Sequence, residues 1–380
     1  MESERERQRQ RERPDGLRQS GPLISRRTLL GAAALVTLAG CAQASGARRQ
    51  LAPPRPPTPP PAPPRLAITT ANASAIAPLY VYTERSGLMR GVAFSPDGRL
   101  LAAGAGADIL LWDMRDPQFR ATWRGHTDLV WNVVWATNGA LMASTSDDNT
   151  VRLWDRQRST ALMTLRDQQG EGPLSVAWAP DGKRLATTTF NGMVLIWDAT
   201  TGAQVARWSA LPTVGRGEGG RYPFAGWGIS WSPDGQTIVS TRYDGYIFLW
   251  DVATGHSIVT PKSGFQPNRV AWAPDGMLFA LTDDQGALQI WRPRGSAPMR
   301  SLLAQEADGW SYGVAWSPDG AMLAVSRESG LVEVWNAANG TRLASLTGHT
   351  ASAWGLAWSP DGLRLASAGD DGSTRLWGIR

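Results

Sequence analysis

From residue 79 to residue 380 the chain is a succession of short apolar–polar alternations separated by glycine-containing turns. Runs such as Gly313-Val314-Ala315-Trp316, Arg364-Leu365-Ala366-Ser367 and Thr150-Val151-Arg152-Leu153-Trp154 repeat with a period of two, the spacing of a strand, and no helical run competes with them. A longer period lies over the short one. A first strand enters a turn close to Ser-Pro-Asp-Gly at 95–98, 179–182, 232–235, 273–276, 317–320 and 359–362, with Ala-Thr-Asn-Gly at 136–139. In such a turn Pro presets the first central φ, Asp suits the second, and Gly sits where the chain re-enters a strand. A second strand, a short Asp/Asn-Gly turn and a third strand follow. The third strand ends in Trp112, Trp154, Trp197, Trp250, Trp291, Trp335 and Trp377, spaced by 42, 43, 53, 41, 44 and 42 residues.

A period of 41–44 residues with several strands per unit predicts a propeller, because one small blade has two unpaired edges and buries its faces only against neighbours. Trp-Asp stands at 112–113, 154–155, 197–198 and 250–251, and Gly-His at 125–126 and 348–349, ahead of a first strand. Residues 79–380 therefore resemble the WD-repeat β-propeller family. The resemblance implies an all-β, seven-bladed propeller of four-stranded antiparallel blades. The last repeat supplies only three strands before Arg380. Leu79 lies sixteen residues before Ser95, as Leu343 lies sixteen before Ser359, so Leu79-Tyr80-Val81-Tyr82 is expected to close the seventh blade and hide both edges. A periplasmic Tol-type propeller also repeats Ser-Pro-Asp-Gly, but it lacks Trp-Asp at the third strand.

The charge belongs elsewhere. The formal net charge is +5, yet residues 1–27 carry eight Arg against five acidic residues, and Arg48, Arg49, Arg55 and Arg65 follow. The remaining body is left at −2, which argues against a phosphate-tracking face and a nucleic-acid partner. Arg26-Arg27 precede an apolar run, Leu29 to Gly40, about half the length that spans a bilayer. The run ends Leu38-Ala39-Gly40-Cys41, and Cys41 is the only cysteine. Together these resemble a twin-arginine export signal ending in a bacterial lipobox, which implies cleavage before Cys41 and its lipidation. The competing reading is a short, uncleaved anchor helix. The expected division is a signal peptide over 1–40, a disordered small-residue and Pro-rich stalk over 41–77, and a propeller over 78–380. The protein is expected as a monomer outside the cytoplasmic membrane, held by its lipid.

One Cys and three His exclude a disulfide framework and leave little for metal or acid–base chemistry. No cofactor, no metal and no enzymatic activity are expected. His126, Ser144, Asp148 and Trp154 form one family-type hydrogen-bonding set; His349, Ser367, Asp371 and Trp377 form another. The alternative is a Ser-His-Asp triad, against which the repetition of the set argues. Ser240, Asp244 and Trp250 stand without a His, and the remaining blades, departing further, are expected to be less rigid. The Asp pairs 147–148, 283–284 and 370–371 invite a calcium reading, but turn chemistry accounts for them and none has the ligand count of a calcium loop.

By the resemblance, the residue opening each first strand lies on the top face at the channel mouth, where partners are gripped. That position reads Arg90, Trp131, Leu174, Trp227, Asn268, Tyr312 and Trp354. The matching position before the turn between the second and third strands reads Asp147, Phe190, Tyr243, Asp284, Glu328 and Asp370. Trp, Tyr and Arg dominate binding hot spots, so a protein or peptide partner is expected there, unless the Trp instead plug the channel. An insertion near 211–225 adds Arg216, Arg221 and Tyr222 to the same face. Changing Trp131, Trp227 and Trp354 to Ala is expected to abolish binding and leave the fold intact. The rival reading is a small-molecule or cofactor-binding propeller, possible as an enzyme, with its ligand in the channel.

Overall fold

The computed structural model describes residues 66–84, 87–209, 225–260, 265–303 and 309–380. Arg26, Arg27, Cys41, the Pro-rich segment, Arg216, Arg221 and Tyr222 lie outside the described residues. The body comprises seven four-stranded sheets, each antiparallel. Its strands are lettered a to d in each blade. The a strands are Met89–Phe94, Val130–Trp135, Pro173–Trp178, Gly228–Trp231, Pro267–Trp272, Ser311–Trp316 and Ala353–Trp358. Each touches the a strand of the blade on either side, and the seventh touches the first, so they form a closed inner ring around an axial channel. Blade 7 takes its d strand from the other end of the chain. Ala77–Thr83 pairs with Ser373–Gly378, placing Tyr80 opposite Leu376 and Tyr82 opposite Thr374. Residues 66–76, ahead of the boundary read from the sequence, also pack: Ile68, Ala73 and Ile76 are buried with Trp358, Leu365 and Trp377. Among the described residues, no helix is long and apolar enough to cross a membrane.

The recurring turn is held by its own side chains. Ser95 donates to Asp97 Oδ1 at 2.6 Å, Asp97 Oδ1 accepts the Arg99 N–H, and Ser95 Oγ accepts the Leu100 N–H at 2.9 Å. The Asp therefore caps the turn, and Gly98 takes the left-handed φ of +67° that a side chain would resist. The same Ser–Asp bond recurs at Ser232–Asp234, Ser317–Asp319 and Ser359–Asp361.

Blades are joined by large apolar cores and by a column of hydroxyls. Trp123, ending the d strand Asp116–Trp123, stacks on Trp154 at 5.8 Å, and Trp208, ending the d strand Gln204–Trp208, stacks on Trp250 at 5.7 Å, in both cases against the next blade's third-strand Trp. Thr145, Thr188, Thr241, Thr282 and Ser326 hold one position in successive b strands, Leu141–Ser146, Arg184–Thr189, Thr237–Arg242, Phe279–Asp283 and Met322–Arg327, and each donates to the a-strand backbone of the following blade or to a residue shortly ahead of it. Their acceptors are the carbonyls of Leu174, Gly226, Asn268, Tyr312 and Trp354. All five hydroxyls are buried, so an unmade bond there would leave a polar group without water.

Candidate functional site

The two family-type sets are assembled as continuous relays. Trp154 Nε1–H donates to Ser144 Oγ at 2.8 Å, Ser144 lies 2.7 Å from His126 Nε2, and His126 Nδ1 lies 2.8 Å from Asp148. The second set repeats this at 2.9, 2.8 and 3.0 Å through Trp377, Ser367, His349 and Asp371. One direction satisfies every group: indole N–H to Ser oxygen, Ser O–H to Nε2, and Nδ1–H to carboxylate. Ser144 and Ser367 are completely buried, so neither hydroxyl can meet a substrate carbonyl. Blade 4 keeps the indole bond, Trp250 Nε1–H to Ser240 Oγ at 2.9 Å, without a His, and elsewhere the wiring at this place differs. Thr187 replaces the Ser under Trp197, Arg242 grips Asp244 with two bonds, and Gln289 links Asp283 to Trp291. In blade 6, Glu333 is fully buried and accepts from Arg327 and Arg342.

Burial lowers the His349 pKa against the opposing pull of Asp371. Burial alone would raise the Asp371 carboxyl, but hydrogen bonds from Ser373 and His349 bring it below the ordinary range. Both shifts have the same consequence. The unfolded chain binds more protons than the folded one as pH falls, so the His349 contribution is full above about pH 6.5 and is lost on acidification below it, while the Asp371 contribution is lost only below about pH 4. Unfolding midpoints measured from pH 7.5 to pH 5 are expected to fall, and His349→Gln should flatten the decline. An unchanged slope in that variant would show that His349 does not carry it.

At the channel mouth the structure brings much of the aromatic ring into mutual contact. Trp131 and Trp354 each donate through Nε1 to the acid sixteen residues on, Asp147 and Asp370, at 2.8 Å. Arg90 lies between them, with Cζ 3.7 Å from the Trp354 ring centre and 5.1 Å from that of Trp131, and its Nε 3.0 Å from Asp370. Tyr312 stacks on Trp354 at 3.8 Å, and Trp227 meets Trp131 edge-on at 6.0 Å. Burial pushes the Asp370 carboxyl up and the Arg90 guanidinium down, each opposed by the other's charge.

This packing divides the thirteen ring positions. Arg90, Trp131, Leu174, Asn268 and Tyr312 are buried, and Asn268 is committed to the Ser311 carbonyl of the next blade at 2.7 Å. Phe190, Trp227, Tyr243, Trp354, Asp147, Asp284, Glu328 and Asp370 keep part of their surface. Trp131 is only 3% exposed, so its change to Ala would open a cavity costing about 3–5 kcal/mol. The triple Trp variant therefore cannot be expected to leave the fold intact, and binding is better probed with the half-exposed residues.

Sequence reasoning missed Trp310. It is partly exposed, 6.1 Å from Tyr243 and 6.2 Å from Tyr312, and extends the aromatics into a crescent. The signal was an aromatic two positions ahead of Tyr312. The acids border this crescent: Glu328 accepts the Trp310 N–H, Asp284 accepts the Gln266 N–H, and burial pushes the Asp284 carboxyl up. The Asp pairs make turn and indole bonds, and among the described residues no three His, Cys, Asp or Glu converge as a metal site. His256 is exposed.

Comparison with known proteins agrees with this architecture. The WD domain, G-beta repeat model matches residues 77–113, 117–155, 160–198, 227–251 and 340–378. The model of the anaphase-promoting complex subunit 4 WD40 domain matches residues 270–355. The serine-threonine kinase receptor-associated protein of Gallus gallus is 27% identical over 209 residues, 54% of this chain and 55% of that protein. Transcription initiation factor TFIID subunit 5 of Caenorhabditis elegans is 25% identical over 215 residues, 55% of this chain and 31% of the relative. An uncharacterized WD repeat-containing protein of Synechocystis is 34% identical over 93 residues, 24% of this chain and 27% of the relative. The matched regions thus span about half the length of these relatives or less.

Proposed function

This body is a WD-repeat β-propeller, and we propose that it serves as a non-catalytic protein-binding platform whose top face takes a basic segment of its partner. The observation that carries the reading is the partly exposed crescent of Phe190, Trp227, Tyr243, Trp310 and Trp354, bordered by Asp147, Asp284, Glu328 and Asp370. The nearby cations are turned inward: Arg90 lies against Trp354 and Asp370, and Arg242 and Arg327 are buried against Asp244 and Glu333. A face of aromatic rings and carboxylates attracts Lys and Arg side chains by charge and by cation–π contact. WD-repeat relatives named as receptor-associated or transcription-factor subunits support interaction as the general role. The Arg26-Arg27 pair and the Leu38-Ala39-Gly40-Cys41 sequence support display outside the cytoplasmic membrane, with the chain anchored by lipid at Cys41.

The test uses the purified chain against two fluorescent peptide pools, one rich in Lys and Arg and the other in Glu. The basic pool is expected to be retained, with retention falling as salt rises. The Tyr243→Ala/Trp310→Ala double variant should bind it at least tenfold more weakly with its unfolding transition still cooperative. Equal binding by that variant, or preference for the acidic pool, would remove the assignment. Metabolic labelling with a fatty-acid probe tests the anchor, since Cys41→Ser should abolish incorporation.

A further inference from the structure

One residue deeper along the a strands, the inner ring reads Gly91, Asn132, Ser175, Gly228, Arg269, Gly313 and Gly355. Four positions have no side chain, and close approach explains at least two of them. A Cβ on Gly228 would stand 2.6 Å from the Asn268 carbonyl, and one on Gly313 would stand 2.5 Å from the Trp354 carbonyl. The three side chains that remain converge. Arg269, on blade 5, donates through Nη1 to the Trp227 carbonyl at the start of blade 4 at 3.2 Å and, beyond it, to Ser175 Oγ on blade 3 at 2.8 Å. Asn132 Nδ2 donates to the same Ser175 oxygen at 3.4 Å.

The arrangement has donors left over and no acid to receive them. Ser175 Oγ accepts from both neighbours, so its own O–H is the donor left to give. Arg269 spends Nη1 on these bonds, which leaves the Nε and Nη2 edge, the two-pronged side of a guanidinium that matches a carboxylate. Arg269 has no carboxylate partner among the described residues; the charge that acts on it is another cation, Arg90, whose own partner is Asp370. Enclosure and that repulsion push the Arg269 guanidinium down to about 10, so it is still charged at neutral pH. Part of its surface remains exposed. A cation enclosed by protein with no counter-charge is costly to hold, and a bound anion removes that cost.

We propose that the channel beneath the aromatic plug is a binding site for a small free carboxylate, held by the Nε and Nη2 edge of Arg269 and the hydroxyl of Ser175. Trp131, Trp227, Trp354 and Arg90 pack on one another at the top, so on this proposal the carboxylate enters from the opposite face. The site is independent of partner capture on the top face.

The full chain is titrated with sodium acetate by calorimetry, sodium chloride being withdrawn to keep ionic strength constant. Saturable binding is expected, lost in Arg269→Gln and at least tenfold weaker in Ser175→Ala, which keeps the guanidinium and serves alone if the first variant does not fold. Absence of saturation, or binding unchanged in Ser175→Ala, overturns the site. Chloride binding as tightly as acetate would overturn the carboxylate assignment.

Discussion

Replacing Glu333 by Ala is expected to destabilise the propeller by about 3–5 kcal/mol, read as a lower guanidinium midpoint at unchanged slope. The expectation follows from what the carboxylate leaves behind. Glu333 is completely buried in the third strand of blade 6, and Arg327, itself 2% exposed, donates to it through Nε and Nη2. Arg342 adds a third bond at 2.9 Å from a more open position. Arg342 can turn toward water when the acid is gone. Arg327 cannot, because its Nη1 is tied to Ser311 Oγ and the Gly286 carbonyl within the same buried space. The variant therefore retains an enclosed guanidinium without a counter-ion. A control separates this from simple loss of packing. Arg327→Met combined with Glu333→Leu removes both charges at similar volume and should recover much of the loss. If the double variant is as unstable as the single, the unpaired charge is not the cause.

Glu333 also shows where a sequence reading of this fold stops. In Val332-Glu333-Val334 the alternation presents Glu as the water-facing residue of a strand with one covered face. In a propeller both faces of the third strand are covered by adjoining blades, so the polar position is as buried as its neighbours. The turns, the third-strand Trp and the closing strand were legible because each rests on local spacing repeated seven times. The hydroxyl column at Thr145, Thr188, Thr241, Thr282 and Ser326 was not read from the sequence, although it occupies one position in successive repeats, because only the structure shows what it bonds. The channel mouth was half legible. Its residues could be placed, but spacing does not say whether a ring of Trp points out to a partner or folds in upon itself. Here Trp131, Arg90 and Tyr312 fold in, and Phe190, Tyr243 and Trp310 stay partly open. Arg269 was illegible, because its partner Ser175 lies 94 residues away, and only the curvature of the ring makes them neighbours.

The strand that closes the ring carries the other large expected effect. Tyr82 is 5% exposed and stacks on Trp112 of blade 1 at 4.5 Å, while its backbone lies in register with Thr374 of blade 7. It thus joins the first blade to the last. Tyr82→Ala should cost about 3–5 kcal/mol, the range for deleting a buried aromatic ring. Tyr82→Phe should be neutral or stabilising, since the buried Tyr82 Oη has no hydrogen-bond partner and its ionisation is strongly opposed by burial. Deleting residues 76–84 goes further, because it strips Ser373–Gly378 of its neighbour and exposes a sheet edge that can pair with another chain. Size-exclusion chromatography of that deletion is expected to show assemblies larger than the wild-type chain. A synthetic peptide of residues 76–84 should restore the wild-type elution by occupying the vacant edge. A deletion that elutes and unfolds as wild type would show that the inner ring holds itself closed without the strand. Failure of the peptide to restore an aggregated deletion would place the defect in the inter-blade packing of Tyr82 and Trp112 instead of the open edge.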